Sequence, residues 1–299
     1  MRIVESLHKL KSKKRLAKAL QAHLPYLENL AQRDDTYHSF STVCGGKTRH
    51  IERPIPSLER IQKNIYELLN QGNKPAYLHS GVKGRSYITN AQAHVNSLPT
   101  VKIDIRKFYA STSSRKVYRY FADTLKCSPD VSGLLTKLTT RAGRLPIGTH
   151  TSQLLAFLVA HPMLEELATH AEENNIIFTC YVDDLTFSGT AATPAFLWSI
   201  KKIVHKHGYS YHQARCFQSR QKKIITGVLV HTQGIEVLPA TKQKIRREVR
   251  LLQTSVEDVD VARLRSLVGH IAAASQIEKS IRKSLLALRK TGALAKLKS

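Results

Sequence analysis

The sequence predicts a protein of mixed helix and strand, and three observations carry that prediction. Two short runs rich in aromatic and β-branched residues flank Asp183-Asp184 between Phe178 and Ser188. Each run reads as a strand, with the acidic pair at the tight turn between them. Upstream, Val101, Ile103 and Ile105 alternate with Lys102, Asp104 and Arg106, the two-residue period of a half-buried strand. From Ala240 onward the apolar residues recur instead at helical spacing. With 299 residues and 42% hydrophobic content, the chain can build a sizeable core and two or three subdomains.

In chain order, residues 1–32 read as helical, with Leu7, Leu10, Leu16, Leu20, Leu24, Leu27 and Leu30 on one side and lysines on the other. Residues 37–43 and 49–51 read as strands around a Gly45-Gly46 turn. Gly46-Lys47-Thr48 resembles the end of a phosphate-binding loop. Ser41 stands where that motif needs its first glycine, which excludes it. Lys47 and Arg49 fit better as cations on a hairpin. Ser57 can cap a helix to Leu69 that buries Leu58, Ile61, Ile65 and Leu68, and Gly72-Asn73 follows its end.

A glycine-loosened basic loop spans residues 79–86, and Asn90-Ala91 then opens a helical turn containing His94. Helices are expected at 114–125 and 129–140. Pro146 and Gly148 form a turn that feeds an apolar helix over 154–170, offering backbone N–H groups to an anion. A helix is expected at 194–206 and strands at 209–217, 224–230 and 235–238, the last after a Gln233-Gly234 turn. In the C-terminal region Val261, Leu264, Val268 and Ile271 form one stripe; Ile277, Ile281, Leu285 and Leu288 form another. Arg246, Arg247, Arg250, Arg263, Arg265, Arg282 and Lys283 face outward.

The formal net charge is +25. An excess of that size predicts a polyanionic partner, nucleic acid above all, bound with strong salt dependence. Cys44, Cys127, Cys180 and Cys216 are scattered, without zinc spacing. Reduced thiols in a cytoplasmic protein are the expectation. No apolar run approaches membrane-spanning length, so no membrane partner is expected.

The acidic residues suggest the chemistry. Adjacent carboxylates repel and raise each other's pKa, so a hairpin tip carrying two implies a cation or a basic partner. Read singly, Asp183-Asp184 is a solvated turn and Asp104 an edge or salt-bridge residue. If the two elements are sheet neighbours, three carboxylates converge into the ligand set of two Mg²⁺ ions roughly 3.5–4 Å apart, a clamp for phosphoryl displacement.

Tyr181-Val182-Asp183-Asp184 resembles the Y-x-D-D box of reverse transcriptases. Asp104 followed by Phe108-Tyr109 resembles their first catalytic box. Asn90-Ala91-x-x-His94 and Ile225-Thr226-Gly227 are similar to two further elements of bacterial retron reverse transcriptases. The resemblance runs from about Thr42 to Ala287. It implies an α+β right hand: residues 1–99 as N-terminal helices and fingers, 100–238 as an antiparallel palm sheet with a fingers insertion at about 113–150, and 239–299 as a helical thumb. It implies catalysis by Asp104, Asp183 and Asp184, with the backbone carbonyl of Ile105 as a further ligand of two Mg²⁺ ions, Mn²⁺ also fitting. Lys47, Arg49, Tyr109 and Gly148 would bind the dNTP, Tyr109 rejecting a 2′-hydroxyl so that the product is DNA.

Asn90, Thr226, Gly227, Arg246 and Arg250 would contact RNA, while His94 is either structural or an RNA contact. The implied partners are a cognate structured non-coding RNA that primes from an internal 2′-hydroxyl, its branched RNA-linked DNA product (msDNA), dNTPs and an effector protein in antiphage defence. Four departures stand out: Ile147 where a glutamine is usual, Gln153 for a proline, His212 for an asparagine and Arg215 for a lysine. Arginine donates protons poorly, which limits Arg215 to an electrostatic role. The alternatives are a reverse transcriptase of group II intron, diversity-generating or abortive-infection type, and an RNA-binding scaffold that restrains an effector.

Overall fold

The computed structural model describes residues 7–44, 47–254 and 260–290. The predicted Gly45-Gly46 turn and the side chains of Cys44 and Lys47 lie outside the described residues. The chain begins with α1 (Lys13–Ala19) and α2 (Leu24–Gln32), then the hairpin β1 (Tyr37–Cys44) and β2 (Lys47–Pro54), then α3 (Pro56–Leu69) and α4 (Tyr87–Gln92). Strand β3 (Thr100–Ile105) leads into the short helices α5 (Phe108–Ser111) and α6 (Ser114–Arg119), a π-helical turn at Tyr120–Thr124, α7 (Pro129–Thr139) and the long α8 (Ser152–Glu173). Strands β4 (Ile177–Tyr181) and β5 (Asp184–Ser188) precede α9 (Pro194–Lys206) and β6 (Tyr211–Phe217). The chain ends with β7 (Lys223–Ile225), β8 (Val228–His231), β9 (Gly234–Val237), α10 (Pro239–Thr254), α11 (Val261–Ile277) and α12 (Lys283–Lys290).

The chain divides into two compact units, one of residues 1–84 and 101–216, the other of residues 85–100 and 217–299. In the first, a four-stranded sheet runs β4-β5-β3-β6, and β1 pairs with β2 antiparallel. Its core is continuous. Val101, Ile103 and Ile105 are at most 1% exposed, as the alternation in β3 requires. Tyr77, Phe178 and Phe187 stack in series at 5.0 and 4.6 Å between ring centroids, and Phe196 of α9 meets Phe187 edge-on at 5.7 Å. Helix α9 is expected at 194–206 and forms there: Pro194 takes the first turn and the Thr193 side chain accepts from the Phe196 N–H.

The structure differs from the sequence expectation at four places, each with a local cause. The N-terminal helix is two helices. Gln21 adopts φ +51° and Pro25 sits in the first turn of α2, where a ring that would break a helix interior is tolerated. Helix α3 begins at Pro56 behind Ile55, which makes no side-chain cap, so Ser57 does not cap it. The expected strand over 224–230 is a hairpin. Thr226 and Gly227 both have positive φ, 45° and 79°, as a two-residue type I′ turn demands, and β7 pairs antiparallel with β8 across it. The C-terminal stripe is interrupted by a 3₁₀ turn at Lys279–Arg282.

The second unit has its own cores. Leu264, Leu267, Ile271 and Ala274 of α11 pack with Ile245, Val249 and Leu252 of α10. A smaller cluster joins Ala91 of α4 to Ile225, Val228 and Val230. The thiols of Cys127 and Cys180 are buried, that of Cys216 is half-buried, and all three are free. Among the described residues, no helix is long and apolar enough to cross a membrane.

A buried lysine gives this unit a pH signature. Lys223 is 2% exposed and donates to Thr100 Oγ1 at 2.7 Å and Asn96 Oδ1 at 3.3 Å, without a carboxylate in either contact. Burial pushes its ammonium down to about 8. An unfolded lysine titrates near about 10.4, so the unfolded chain holds this proton more tightly than the folded one. Below pH 8 the buried charge is carried in full and destabilises. As pH climbs from 8 through about 10.4 the cost fades and stability rises. Between pH 7 and pH 10.5, chemical denaturation should show wild type gaining roughly 1–3 kcal/mol relative to Lys223→Met. A constant difference across that window refutes the assignment.

Candidate active site

The acidic turn is built by β4 and β5. Their register pairs Tyr181 with Asp184, which leaves only Val182 and Asp183 at the tip. Val182 has φ +58°, a conformation that costs a β-branched residue on the order of 1–3 kcal/mol and that surrounding contacts must enforce. Those contacts are visible. The Val182 N–H donates to Ser80 Oγ at 3.0 Å. The segment holding Ser80 is laid alongside β4, because Cys180 N–H donates to Tyr77 O at 2.8 Å and His79 N–H to Cys180 O at 2.9 Å. Ser80 is 6% exposed, so this anchor works out of competing water.

Strand β3 lies next to β5 in the sheet. The Ile105 N–H donates to Asp183 O at 2.9 Å, which sets Asp104 beside the acidic turn. The Asp183 carboxyl is pushed up to about 6, first by burial and then by the charge of Asp104. Asp104 is also raised, first by burial, with Asp184 adding and His212 opposing. Burial, then the charges of Asp184 and Asp183, raises the Cys180 thiol behind the turn. The three carboxylates predicted to converge therefore share one electrostatic environment.

Two of them already have basic side chains against them. Lys102 Nζ lies 2.6 Å from Asp184 Oδ2, and His212 Nδ1 lies 2.9 Å from Asp104 Oδ1. Among the described residues, no group of three His, Cys, Asp or Glu side chains is drawn together tightly enough to hold a metal ion. The donor chemistry nevertheless fits a hard cation. Asp104 and Asp183 offer carboxylate oxygens, and the charge of Asp104 raises the affinity of Asp183 for a proton, a repulsion that a divalent ion relieves. Asp184, with Lys102 at its Oδ2, is the third candidate ligand. For Ile105, the described contact is its N–H to Asp183.

The remaining predicted nucleotide residues divide. Tyr109 is near the carboxylates: burial, then Asp183, pushes its hydroxyl up to about 12, opposed by Arg49. Arg49 also acts on Asp183, so the β2 cation reaches this site. Gly148 has φ +108°, and a Cβ there would stand 2.7 Å from Ile51 Cγ2. It lets the loop before α8 lie against β2, where Glu52 N–H donates to Ile147 O at 2.7 Å. Ile147 thus contributes its carbonyl rather than a side-chain amide. Arg144 fixes the same junction through Glu52, at 2.7 and 3.3 Å. Arg215 is exposed on β6.

The predicted RNA contacts lie in the second unit. Asn90 and His94 are 0% exposed, which favours the structural role for His94 and sets Asn90 in the interior rather than on an RNA-facing surface. Thr226 Oγ1 donates to Tyr87 O at 2.8 Å. Together with the Ala91 cluster, this makes the two retron-like elements one packed piece. Gly227 is exposed at the turn. Arg246 and Arg250 are exposed on α10 and line a basic hollow with Lys244 and Arg247. Arg263 faces outward as expected, with its charge paired to Glu248 at 2.7 Å.

Sequence reasoning missed Ser80, which sat in a loop with no chemical signature. The pairing of Lys102 had a signal, since alternation in β3 puts it on the same face as Asp104. Ser80→Ala removes the acceptor for a buried turn amide, so it should cost about 1–2 kcal/mol. Amide exchange at Val182 should accelerate more than at Phe187. Unchanged exchange at Val182 would show that the turn is held by other contacts.

No protein-family model matches the chain. Several curated proteins are similar to it. Retron Se72 reverse transcriptase of Salmonella heidelberg is 33% identical over 156 residues, covering 51% of this chain and 41% of that protein. Retron Mx162 reverse transcriptase of Myxococcus xanthus is 27% identical over 251 residues, 71% of this chain and 50% of its own length. Retron Ec83 reverse transcriptase of Escherichia coli is 25% identical over 250 residues, 74% and 77%. The matched stretches span half or less of the first two relatives. By sequence, the chain is similar to several retron reverse transcriptases.

Proposed function

We propose that the chain is an RNA-directed DNA polymerase of the retron type. It would copy part of a cognate structured RNA from an internal 2′-hydroxyl into branched, RNA-linked DNA that serves antiphage defence with an effector protein. The observation that carries this reading is the adjacency of Asp104 and Asp183, sewn together by the Ile105–Asp183 backbone bond, with Asp104 adding to the burial that raises the Asp183 carboxyl. The similarity to retron reverse transcriptases supports it.

In this reading residues 1–99 act as fingers, 100–238 as palm and 239–299 as thumb. Asp104, Asp183 and Asp184 would hold magnesium or manganese. A pair of such ions, when bound, supplies Lewis-acid activation of a hydroxyl nucleophile and neutralises charge on a triphosphate. The protein's own groups do the positioning. Lys47 and Arg49 offer cations to the triphosphate from the β1–β2 hairpin. Gly148 admits the nucleotide close to the backbone. Tyr109 would press on the sugar and exclude a 2′-hydroxyl. The basic face of α10, with Arg246 and Arg250 at its centre, grips the RNA backbone. Asn90, Thr226 and Gly227 shape the retron-specific element that presents the cognate RNA.

The test uses purified protein, cognate RNA, dNTPs and Mg²⁺. Asp183→Asn combined with Asp184→Asn should reduce DNA extension at least about 10²-fold, the scale of losing one electrostatic stabiliser of a transition state. Extension at the wild-type rate would end the polymerase reading. Tyr109→Ala should raise ribonucleotide incorporation relative to deoxyribonucleotide in the same assay. An unchanged ratio would remove Tyr109 from sugar selection.

A further inference from the structure

Helix α9 carries a surface that neither the carboxylate site nor the α10 arginines use. Its buried side is Phe196, Leu197, Ile200 and Val204. Its outer side presents Trp198, Lys201, Lys202 and His205 at helical spacing i, i+3, i+4, i+7. Trp198 is 60% exposed and is the chain's one tryptophan. The two lysines face aromatic rings rather than carboxylates: Lys202 Nζ is 5.7 Å from the Trp198 ring centroid and Lys201 Nζ is 4.8 Å from that of Tyr211. His205 meets Tyr211 edge-on at 5.6 Å. By contrast the next lysine, Lys206, is held by Glu166 at 2.8 Å.

Tyr211 and His212 are neighbours on β6 and point to opposite faces of the sheet. His212 reaches Asp104, so the α9 stripe lies on the face away from the carboxylates. Trp198 leaves its ring open to solvent, where a stacking partner can cover it. Here cations flank it, and the whole chain is strongly basic. That combination of ring faces and unneutralised lysines is the chemistry of a platform for unpaired nucleotides, bases stacking and phosphates meeting ammonium groups.

We propose that the outer stripe of α9 binds a single-stranded stretch of RNA, with one base stacked on Trp198 and the adjoining phosphates on Lys201 and Lys202. A strand held there passes around the β6 edge of the sheet from the catalytic face. The inference rests on RNA as the partner of this protein and not on polymerisation.

Because Trp198 is the sole tryptophan, its emission reports on this stripe alone. Single-stranded RNA added to the full chain should quench it, at concentrations that rise steeply with salt. In anisotropy with labelled RNA, Trp198→Ala should weaken binding about tenfold or more. Lys201→Glu with Lys202→Glu should weaken it to a similar degree, and Trp198→Phe should retain most of the affinity. Circular dichroism checks that each variant stays folded. RNA binding without quenching, or with Trp198→Ala at wild-type affinity, overturns the proposal while leaving the polymerase reading intact. Equal quenching by duplex RNA overturns the stacking arrangement. Failure to bind any RNA sinks both readings. Quenching by an acidic protein in place of RNA assigns the surface to a protein partner instead and overturns the proposal.

Discussion

One backbone hydrogen bond fixes the rest of the candidate site. The Ile105 amide donating to the Asp183 carbonyl closes β3 onto the tip of the β4–β5 hairpin. It sets two acidic side chains from distant parts of the sequence at adjoining places in one sheet. Their like charges meet in a half-buried setting where water screens them less than at an open surface. Around that constraint the neighbouring features fall into place. Ser80 restrains the strained turn from one side, the aromatic stack behind β4 and β5 stiffens it from below, and Lys102 and His212 answer part of the charge.

Much of this was legible in the sequence where a local pattern was sufficient. The alternation of Val101, Ile103 and Ile105 against Lys102 and Asp104 gave both the strand and its polar face. The bounds of α9 match the expected 194–206, and Thr193 as cap with Pro194 in the first turn is the physical reason. The hairpin around Asp183 followed from flanking aromatic and β-branched runs. Elsewhere turn chemistry outweighed strand propensity. Ile224 to Val230 looks continuous by composition, yet a Thr-Gly pair in left-handed geometry folds it back. The N-terminal leucines likewise keep a helical rhythm across a break imposed by Pro25.

What the sequence did not reveal is long-range. Ser80 meets Val182 across 102 positions, and no motif announces such a contact. Asn90 and His94 carry polar side chains in a helix-start context that suggests exposure, yet both are interior. Their burial follows from α4 being pinned under the β7–β8 hairpin by the Thr226 hydroxyl and the Ala91 contact. Two short stretches with no sequence link between them are thus one structural element. Substitutions in either should be felt in the other through packing.

The ion pair between Lys102 and Asp184 has a consequence for how the site rests. Of three negative charges gathered at the sheet, one is neutralised internally by a covalently tethered ammonium. Strand β3 thus supplies an acid, Asp104, and two residues earlier the ammonium that answers the acid on β5. The tally of charge at the turn is therefore set in part from a neighbouring strand, and not only by the hairpin that bears the acidic pair.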